Sequence, residues 1–408
     1  VIISYNAIIC RYNEIAIKGN NRSQFELLLI ENLYRLLAEI PNLKISRIRG
    51  RVWVQHRQRL PFTSEEINFA ERQLVKAFGL ESFSPVIMCS PEIETVCQAV
   101  DSSADVFFAP LIAAGKTAAF RIRASRSDKT FPLQSKEIEI RLATVIGDKY
   151  PREHIKVNLT TPEITIGCEI RDKFAFIFYK TCRGPGGLPA GSNPPVLALL
   201  SGGIDSPVAC YMAMKRGCLV NYITFHSDPY TPPATIDKVK KLAGLLNHFQ
   251  RPGKLYLCNL APVQKLIRDL CTPRIRTVLY RRAMLRIAEK VALRSGSKAL
   301  LTGESIGQVA SQTIVNMNTI NYAVRMLVIR PLAGMDKSEA VTLSEHIGAF
   351  EISKEQVPDS CTVFAPTSPS TAVTIHRAES EEAVIPEYDR LIDEIIEQIE
   401  VVTITPLL

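Results

Sequence analysis

Residues 199–206 read L-L-S-G-G-I-D-S, and the segments on either side of them settle the fold class. An apolar run, 196–200, stops at a serine and two glycines. An acid and a second serine follow, and then the apolar, helix-spaced stretch 208–214. That order predicts a buried strand, a turn the size of a phosphate group and the start of a helix. Glycines let a backbone turn sharply and bring its N–H groups onto an anion. The N-terminus of the following helix adds a partial positive charge at the same spot. Ser201 and Ser206 are placed to donate hydrogen bonds to phosphate oxygens, and Asp205 to orient a magnesium ion or, through it, a pyrophosphate.

Two other phosphate-binding patterns are excluded here. No lysine follows these glycines as in G-x-x-x-x-G-K-[ST], and the dinucleotide pattern G-x-G-x-x-G is absent as well. The remaining pattern, S-G-G-x-D-S behind a buried strand, resembles the pyrophosphate loop of the ATP pyrophosphatases, which adenylate a substrate and release pyrophosphate. Around it, unbroken apolar runs at 196–200, 219–225, 255–257 and 299–301 are separated by helical segments. This is the signature of a doubly wound parallel sheet, whose sites lie at the carboxyl ends of its strands.

Upstream, residues 183–195 hold four glycines and four prolines, the chemistry of a linker. The chain before it reads as small α+β units. Residues 2–10 are extended, 25–40 have helical periodicity stopped by Pro41, and 52–55 form a strand with the single tryptophan, Trp53. A helix from 67 to 79, a strand at 117–124, a helix at 136–149 and paired strands at 163–170 and 173–179 complete this part. The expected divisions are 1–70, 71–181, a 182–194 linker, 195–370 and an acidic helical tail, 371–408.

Composition narrows the setting. With 408 residues, two or three domains are expected, each large enough for its own core. The net charge of +8 is uneven: residues 371–408 carry nine acids against two arginines, which leaves the preceding residues near +15. A basic body with an acidic tail is compatible with a polyanionic partner. No apolar run approaches the roughly 20 residues of a membrane span, and no charged-then-apolar leader opens the chain. The expectation is a cytoplasmic protein without a membrane partner. The ten cysteines form no C-x-x-C pair, which argues against zinc ribbons and dithiol redox centres.

Further polar clusters follow the other predicted strands. Thr224, Phe225, His226 and Ser227 end the second, where an adenine or ribose could lie, although Phe225 suits a core equally well. Arg274, Arg276, Arg281, Arg282 and Arg286 populate one amphipathic helix and its approach; a solvated basic face and a phosphate-binding face are both open. Residues 302–313, T-G-E-S-I-G-Q-V-A-S-Q-T, can line a nucleotide or a base edge with their amides and hydroxyls. Asp336 and Lys337 read either as a helix cap with an exposed lysine or as a cation for pyrophosphate. Cys361 lies in a polar, turn-like stretch, and is a candidate nucleophile or persulfide carrier rather than a core spacer.

Taken together, these motifs resemble the ThiI-type tRNA 4-thiouridine synthases over nearly the whole chain. R-Y-N-E-I-A-I-K-G-N-N-R (11–22) looks like that family's opening motif, with Asn13 where glycine is usual. R-S-D-K-T-F (126–131) looks like the signature of a THUMP RNA-binding domain, and G-P-G-G-L-P (184–189) like the family's linker. F-H-S-D-P-Y-T (225–231), the 302–313 segment, R-P-L-A-G-M-D-K (330–337) and C-T-V-F (361–364) match its remaining motifs.

The resemblance implies ferredoxin-like and THUMP α+β domains ahead of a doubly wound PP-loop domain. It implies that ATP, with Mg2+, adenylates O4 of uridine 8 in tRNA, and that sulfur then displaces AMP. The implied ATP contacts are Leu199, Leu200, Ser201, Gly202, Gly203, Ser206, Thr224, Phe225, Arg281, Gly303 and Gln312. Asp205 and Lys337 match residues needed for activation, and Cys361 the cysteine that meets an incoming persulfide. Lys18 and Arg22 of the opening motif and Arg126 and Lys129 of the THUMP signature are the implied RNA contacts. Some family members carry a rhodanese domain; none follows residue 408 here, so a cysteine desulfurase, another persulfide carrier or free sulfide is the expected donor. Others hold an iron–sulfur cluster on a C-x-x-C pair that is missing at 277–281, so no resident metal is expected. A homodimer and a second use of the sulfur in thiazole synthesis are compatible with the resemblance. The rival readings are a PP-loop enzyme that thiolates another position, such as a tRNA 2-thiolase, or forms an amide, and a tRNA-binding protein with a dead nucleotide site.

Overall fold

The structure is a computed structural model that describes residues 3–48, 50–127, 131–358 and 363–407. The chain divides into two compact units, Val1–Leu188 and Pro189–Leu408.

In the first unit the order is β1 (Ala7–Arg11), α1 (Arg22–Leu36), β2 (Leu43–Ile48), β3 (Arg51–His56), α2 (Ser64–Leu74) and β4 (Ser82–Cys89). It continues through α3 (Ile93–Ala113), β5 (Ala118–Arg126), α4 (Ser135–Lys149), β6 (Ile155–Val157), β7 (Ile164–Ile170), β8 (Ala175–Phe178) and β9 (Cys182–Arg183). These strands form one nine-stranded sheet in the order β2-β3-β1-β4-β8-β7-β5-β6, with β9 on β4. β4 joins the two halves. Its first residues pair with β1, Ser82 opposite Arg11 and Val86 opposite Ala7, and its last three, from Ile87 to Cys89, pair with β8. Leu29, Leu33, Leu74 and Phe83 fill the core beside the first half, and Val100, Phe108, Ile138 and Leu142 the core beside the second.

The sequence reading passed over β2, β4 and α3. Pro85 inside β4 removes a backbone donor and reads as a break, yet it takes its register opposite Ile8. Helix α2, closed by a capping box between Thr63 and Glu66, runs across residues 70 and 71. Helix α3 runs against the expectation that nothing here matches a membrane span: its 21 residues are long and apolar enough by composition to cross one. In this fold it is a core helix. Val96, Val100, Ala104 and Phe108 are buried, and on another face Asp101 and Asp105 meet Lys149 at 3.4 and 3.1 Å.

The second unit contains β10 (Val196–Leu199), α5 (Asp205–Lys215), β11 (Val220–His226), α6 (Ala234–Leu246), β12 (Lys254–Asn259), α7 (Ala261–Leu270), α8 (Arg276–Ser295) and β13 (Leu300–Leu301). Then come α9 (Ile314–Asn321), β14 (Val328–Ile329), α10 (Lys337–His346), α11 (Phe350–Lys354), α12 (Ile375–Glu382), α13 (Tyr388–Glu397) and β15 (Glu400–Thr403). The sheet order is β14-β13-β10-β11-β12-β15, parallel except for β15 at one edge. β10 lies between β11 and β13, so the strand order reverses beside it. This is the switch point at which such sheets open a crevice.

Residues 371–408 are not a helical tail but part of this unit. Ile392, Ile395 and Ile396 of α13 enter the same core as Leu279, Ile287 and Ala288 of α8, and β15 pairs antiparallel with β12. The acids of this segment meet the basic side of α8: Lys290–Asp393 at 2.6 Å and Arg294–Glu397 at 2.7 Å. These two of the segment's nine acids are thus paired with cations of α8.

Candidate active site

Three strand ends build one cavity of about 530 Å³: the loop after β10, the end of β11 and the loop after β13. Its wall includes Leu199, Leu200, Ser201, Gly202, Gly203, Asp205, Ser206, Thr224, Phe225, Arg281, Gly303 and Gln312, among others. Every nucleotide contact implied by the sequence therefore faces one space. Phe225 serves two settings at once, since it also joins the hydrophobic core.

The loop geometry differs from the sequence expectation in two respects. Gly202 and Gly203 do not adopt positive φ; at Gly202 the constraint is close approach. A Cβ on Gly202 would lie 3.0 Å from Lys238 Cδ. The second difference is the use of Ser206. Its hydroxyl accepts from the Ser201 N–H at 3.0 Å and donates to the Ser201 carbonyl at 3.1 Å, bracing the loop from inside. Across the crevice, a Cβ on Gly303 would come within 2.7 Å of the Asp205–Ser206 backbone. Only glycine lets the loop after β13 pack directly against the start of α5.

Asp205 sits at the first turn of α5, and its carboxylate accepts from Lys337 Nζ at 2.7 Å and from Gln308 Nε2 at 3.0 Å. The helix-cap reading of the 336–337 pair is seen directly, and Lys337 is paired with an acid of the loop. Asp336 caps α10 through a capping box with Glu339, and Lys337, the first residue of that helix, reaches Asp205.

Glu304 and Lys238 line the cavity and Arg330 pairs with Glu304; the sequence reading quoted the motifs of Glu304 and Arg330 without giving either residue a role, and did not name Lys238. Glu304 is buried between Arg281 (2.9 Å) and Arg330 (2.8 Å), and Thr302 Oγ1 donates to it at 2.9 Å. Burial alone would raise its carboxyl pKa, but the two guanidiniums and the hydrogen bonds from Arg330 and Thr302 outweigh it and hold it below the usual carboxylate range. Two guanidiniums on one carboxylate leave a net positive charge beside the cavity. Among the described residues, nothing hydrogen-bonds the buried Arg281 Nε or Gln312 Oε1, although both residues line the cavity. A buried polar atom without a partner is costly, and these two are what a ligand with donors and anionic oxygens would satisfy.

The other four arginines are disposed differently. Arg282 and Arg286 bind Glu382, Arg276 donates to the Arg268 carbonyl, and the Arg274 carbonyl accepts from Ser370 N–H. None of them lines the cavity. His226, at the end of β11, has its pKa lowered by burial despite Asp228 and Glu400 nearby, and it too is outside the cavity wall. Cys361 lies outside the described residues; residues 353–358, which lead towards it, line the cavity. Among the described residues, no three His, Cys, Asp or Glu side chains gather into a metal-sized group.

Of the implied RNA contacts in the first unit, Lys18 lies over the Phe25 ring at 5.2 Å. Arg22 is held by Glu26 at 2.9 Å and by Tyr12 at 2.7 Å. Arg126 donates to the Phe131 carbonyl at 3.1 Å, and Lys129 lies outside the described residues. A second basic centre was not foreseen: Arg11, Arg51 and Arg171 meet the buried Glu169 at 2.5, 3.1 and 3.0 Å.

A parallel α/β sheet with a glycine loop, a paired acid and a net cationic wall at its switch point defines a nucleotide-dependent enzyme of the PP-loop class. Known proteins narrow this further. Residues 7–84 match the ThiI ferredoxin-like domain, 96–180 the THUMP domain, and 191–385 the family described as thiamine biosynthesis protein (ThiI). The chain is 36% identical over 398 residues to the probable tRNA sulfurtransferase of Thermoanaerobacter pseudethanolicus, covering 96% of this chain and 98% of that one. It is 37% identical to the counterpart from Brevibacillus brevis, covering 99% and 97%. A solved 4-thiouridine synthetase, crystallised in complex with RNA and bound ATP, superposes with a TM-score of 0.86 at 33% identity, covering 98% of this chain and all of that one. The chain belongs to the tRNA sulfurtransferase family.

Proposed function

We propose that this protein uses ATP to activate O4 of a tRNA uridine, uridine 8 by the family resemblance, and replaces that oxygen with sulfur to give 4-thiouridine. The observation that carries the reading is the convergence of the loop, Arg281, Gly303 and Gln312 on one cavity with unpartnered polar atoms in its wall. In the first step O4 bonds to the α-phosphorus and the bond to pyrophosphate breaks. The N–H groups of the loop and of the α5 N-terminus stabilise the charge that grows on the departing pyrophosphate. Arg281, tethered by Glu304, adds a fixed cation. In the second step the outer sulfur of a cysteine persulfide bonds to C4 and AMP leaves with the original oxygen. A thiol, acting as a two-electron reductant, then attacks the inner sulfur and breaks the S–S bond, which leaves 4-thiouridine and a disulfide.

A magnesium ion would be held here by one protein carboxylate together with the nucleotide's own phosphates. Asp205 is the carboxylate placed for it, and Gln308 and Lys337 now hold both its oxygens. When bound, the ion neutralises charge on the leaving pyrophosphate. Cys361 is the residue to which an external persulfide, from a cysteine desulfurase or a similar carrier, delivers sulfur; residues 353–358, which precede it in sequence, line the cavity. The basic first unit binds the tRNA. The nine cysteines described are free thiols, in keeping with work in a reducing cytoplasm.

The test is nucleoside mass spectrometry of tRNA incubated with the enzyme, ATP and a persulfide-loaded desulfurase. The expected product is 4-thiouridine at one site per tRNA. A 2-thiolated nucleoside, or tRNA binding without any thiolated product, would overturn the reading in favour of one of its rivals.

A further inference from the structure

Lys238, on α6, is buried, and its ammonium lies beside the pyrophosphate loop. A Cβ on Gly202 would stand 3.3 Å from its Cε and 3.4 Å from its Nζ. That ammonium does not simply point into the cavity. It donates to the carbonyls of Ser353 at 2.9 Å and Glu355 at 2.6 Å. Three further contacts fasten the same strap. Ser353 Oγ donates to the Gly203 carbonyl at 3.4 Å, Lys241 pairs with Glu355 at 3.0 Å, and Thr235 Oγ1 donates to the Pro358 carbonyl at 3.1 Å. Residues 353–358 form one wall of the nucleotide cavity and run on in sequence towards Cys361.

Burying a lysine ammonium costs several kcal/mol unless it is well hydrogen-bonded, and an apolar side chain of similar length would fill the same volume at no such cost. The charge is retained where it ties α6 to the backbone of residues 353 and 355, beside the loop that receives pyrophosphate, while Ser353 joins that strap to Gly203 directly.

We propose that Lys238 is a positioning residue that couples the two half-reactions, keeping the strap on the pyrophosphate loop so that sulfur arrives while the base is activated. The inference rests on the function proposed above. An activated uridine that meets no sulfur is returned by water: the water oxygen bonds to C4, AMP leaves with the original oxygen, and a proton is released to solvent. ATP is then consumed without a thiolated product. Loosening the strap therefore lowers thiolation more than activation.

The experiment measures pyrophosphate released and 4-thiouridine formed in the same reaction, with tRNA, ATP and a persulfide-loaded desulfurase, for wild type, Lys238→Met and Thr235→Val. The expected ratio of pyrophosphate to 4-thiouridine rises at least fivefold in Lys238→Met and about twofold in Thr235→Val. The milder variant removes a single hydroxyl, so it reads the same coupling if Lys238→Met fails to fold. A proportional fall in both products, with the ratio unchanged in the folded variants, would overturn the coupling role. Absence of tRNA-dependent pyrophosphate release from the wild type would instead overturn the function on which the inference stands.

Discussion

Arg281 and Arg282 are neighbours on α8, and each meets a buried glutamate, yet the two faces of the helix use them for different ends. Arg282 is fully buried and holds Glu382 through both Nε and a terminal nitrogen at 2.7 Å, while a further N–H donates to the Thr319 carbonyl at 2.6 Å. All its donor nitrogens are engaged, and the result fastens α12 to α8. Arg281 makes a single bond to Glu304, shares that carboxylate with Arg330, and keeps an unpartnered Nε at the cavity wall. Arg276 Nε and Arg286 Nε are unpartnered as well, so what sets Arg281 apart is that its unpartnered nitrogen belongs to a residue of the cavity wall. Buried polar groups without partners are rare because they are costly, so their placement in the wall of the cavity is informative.

The largest effect should come from breaking the saturated pair. Glu382→Ala leaves the fully buried Arg282 without its carboxylate, and the expected loss is about 3–5 kcal/mol of stability. Chemical denaturation of the purified protein would show it. Survival of full stability would mean that the pair is no more than incidental. The smaller, opposite test is Arg281→Met. It removes a charge-assisted contact worth about 1.5–3 kcal/mol, so thiolation efficiency should fall roughly 10- to 100-fold while the denaturation midpoint barely moves. A large loss of stability with normal turnover of the folded fraction would reverse the assignment of the two faces.

This sorting of arginines was not legible in the sequence. All five sit on or near one amphipathic helix, and what separates them is which partners fold back onto each face. Glu382 is a hundred residues from Arg282 in the chain, and Ser353 is 115 from Lys238. Composition and periodicity carry no record of such pairs. The loop at 199–206 was legible because its strand, turn and helix start are contiguous, and local backbone chemistry alone dictates them. The same holds for 302–313, although the reason for Gly303 is tertiary: it packs on the backbone of Asp205 and Ser206. β4 was missed because Pro85 reads as a strand breaker, and α3 because Asp101, Ser102, Ser103 and Asp105 interrupt its apolar residues and Pro110 lies inside it. Residues 371–408 read as an acidic helical tail because Lys290 and Arg294 of α8, which pair with two of its acids, are remote in sequence.

The central claim is that the Leu199–Ser206 loop receives pyrophosphate as ATP activates tRNA. The most direct measurement is the identity of the nucleotide products formed with and without tRNA, in wild type and in Asp205→Asn. AMP and pyrophosphate are the expected products, released only when tRNA is present and reduced about 100-fold or more in the variant, the scale on which an electrostatic stabiliser of the transition state acts. Release of ADP and inorganic phosphate, or of pyrophosphate at the same rate without tRNA, would contradict it.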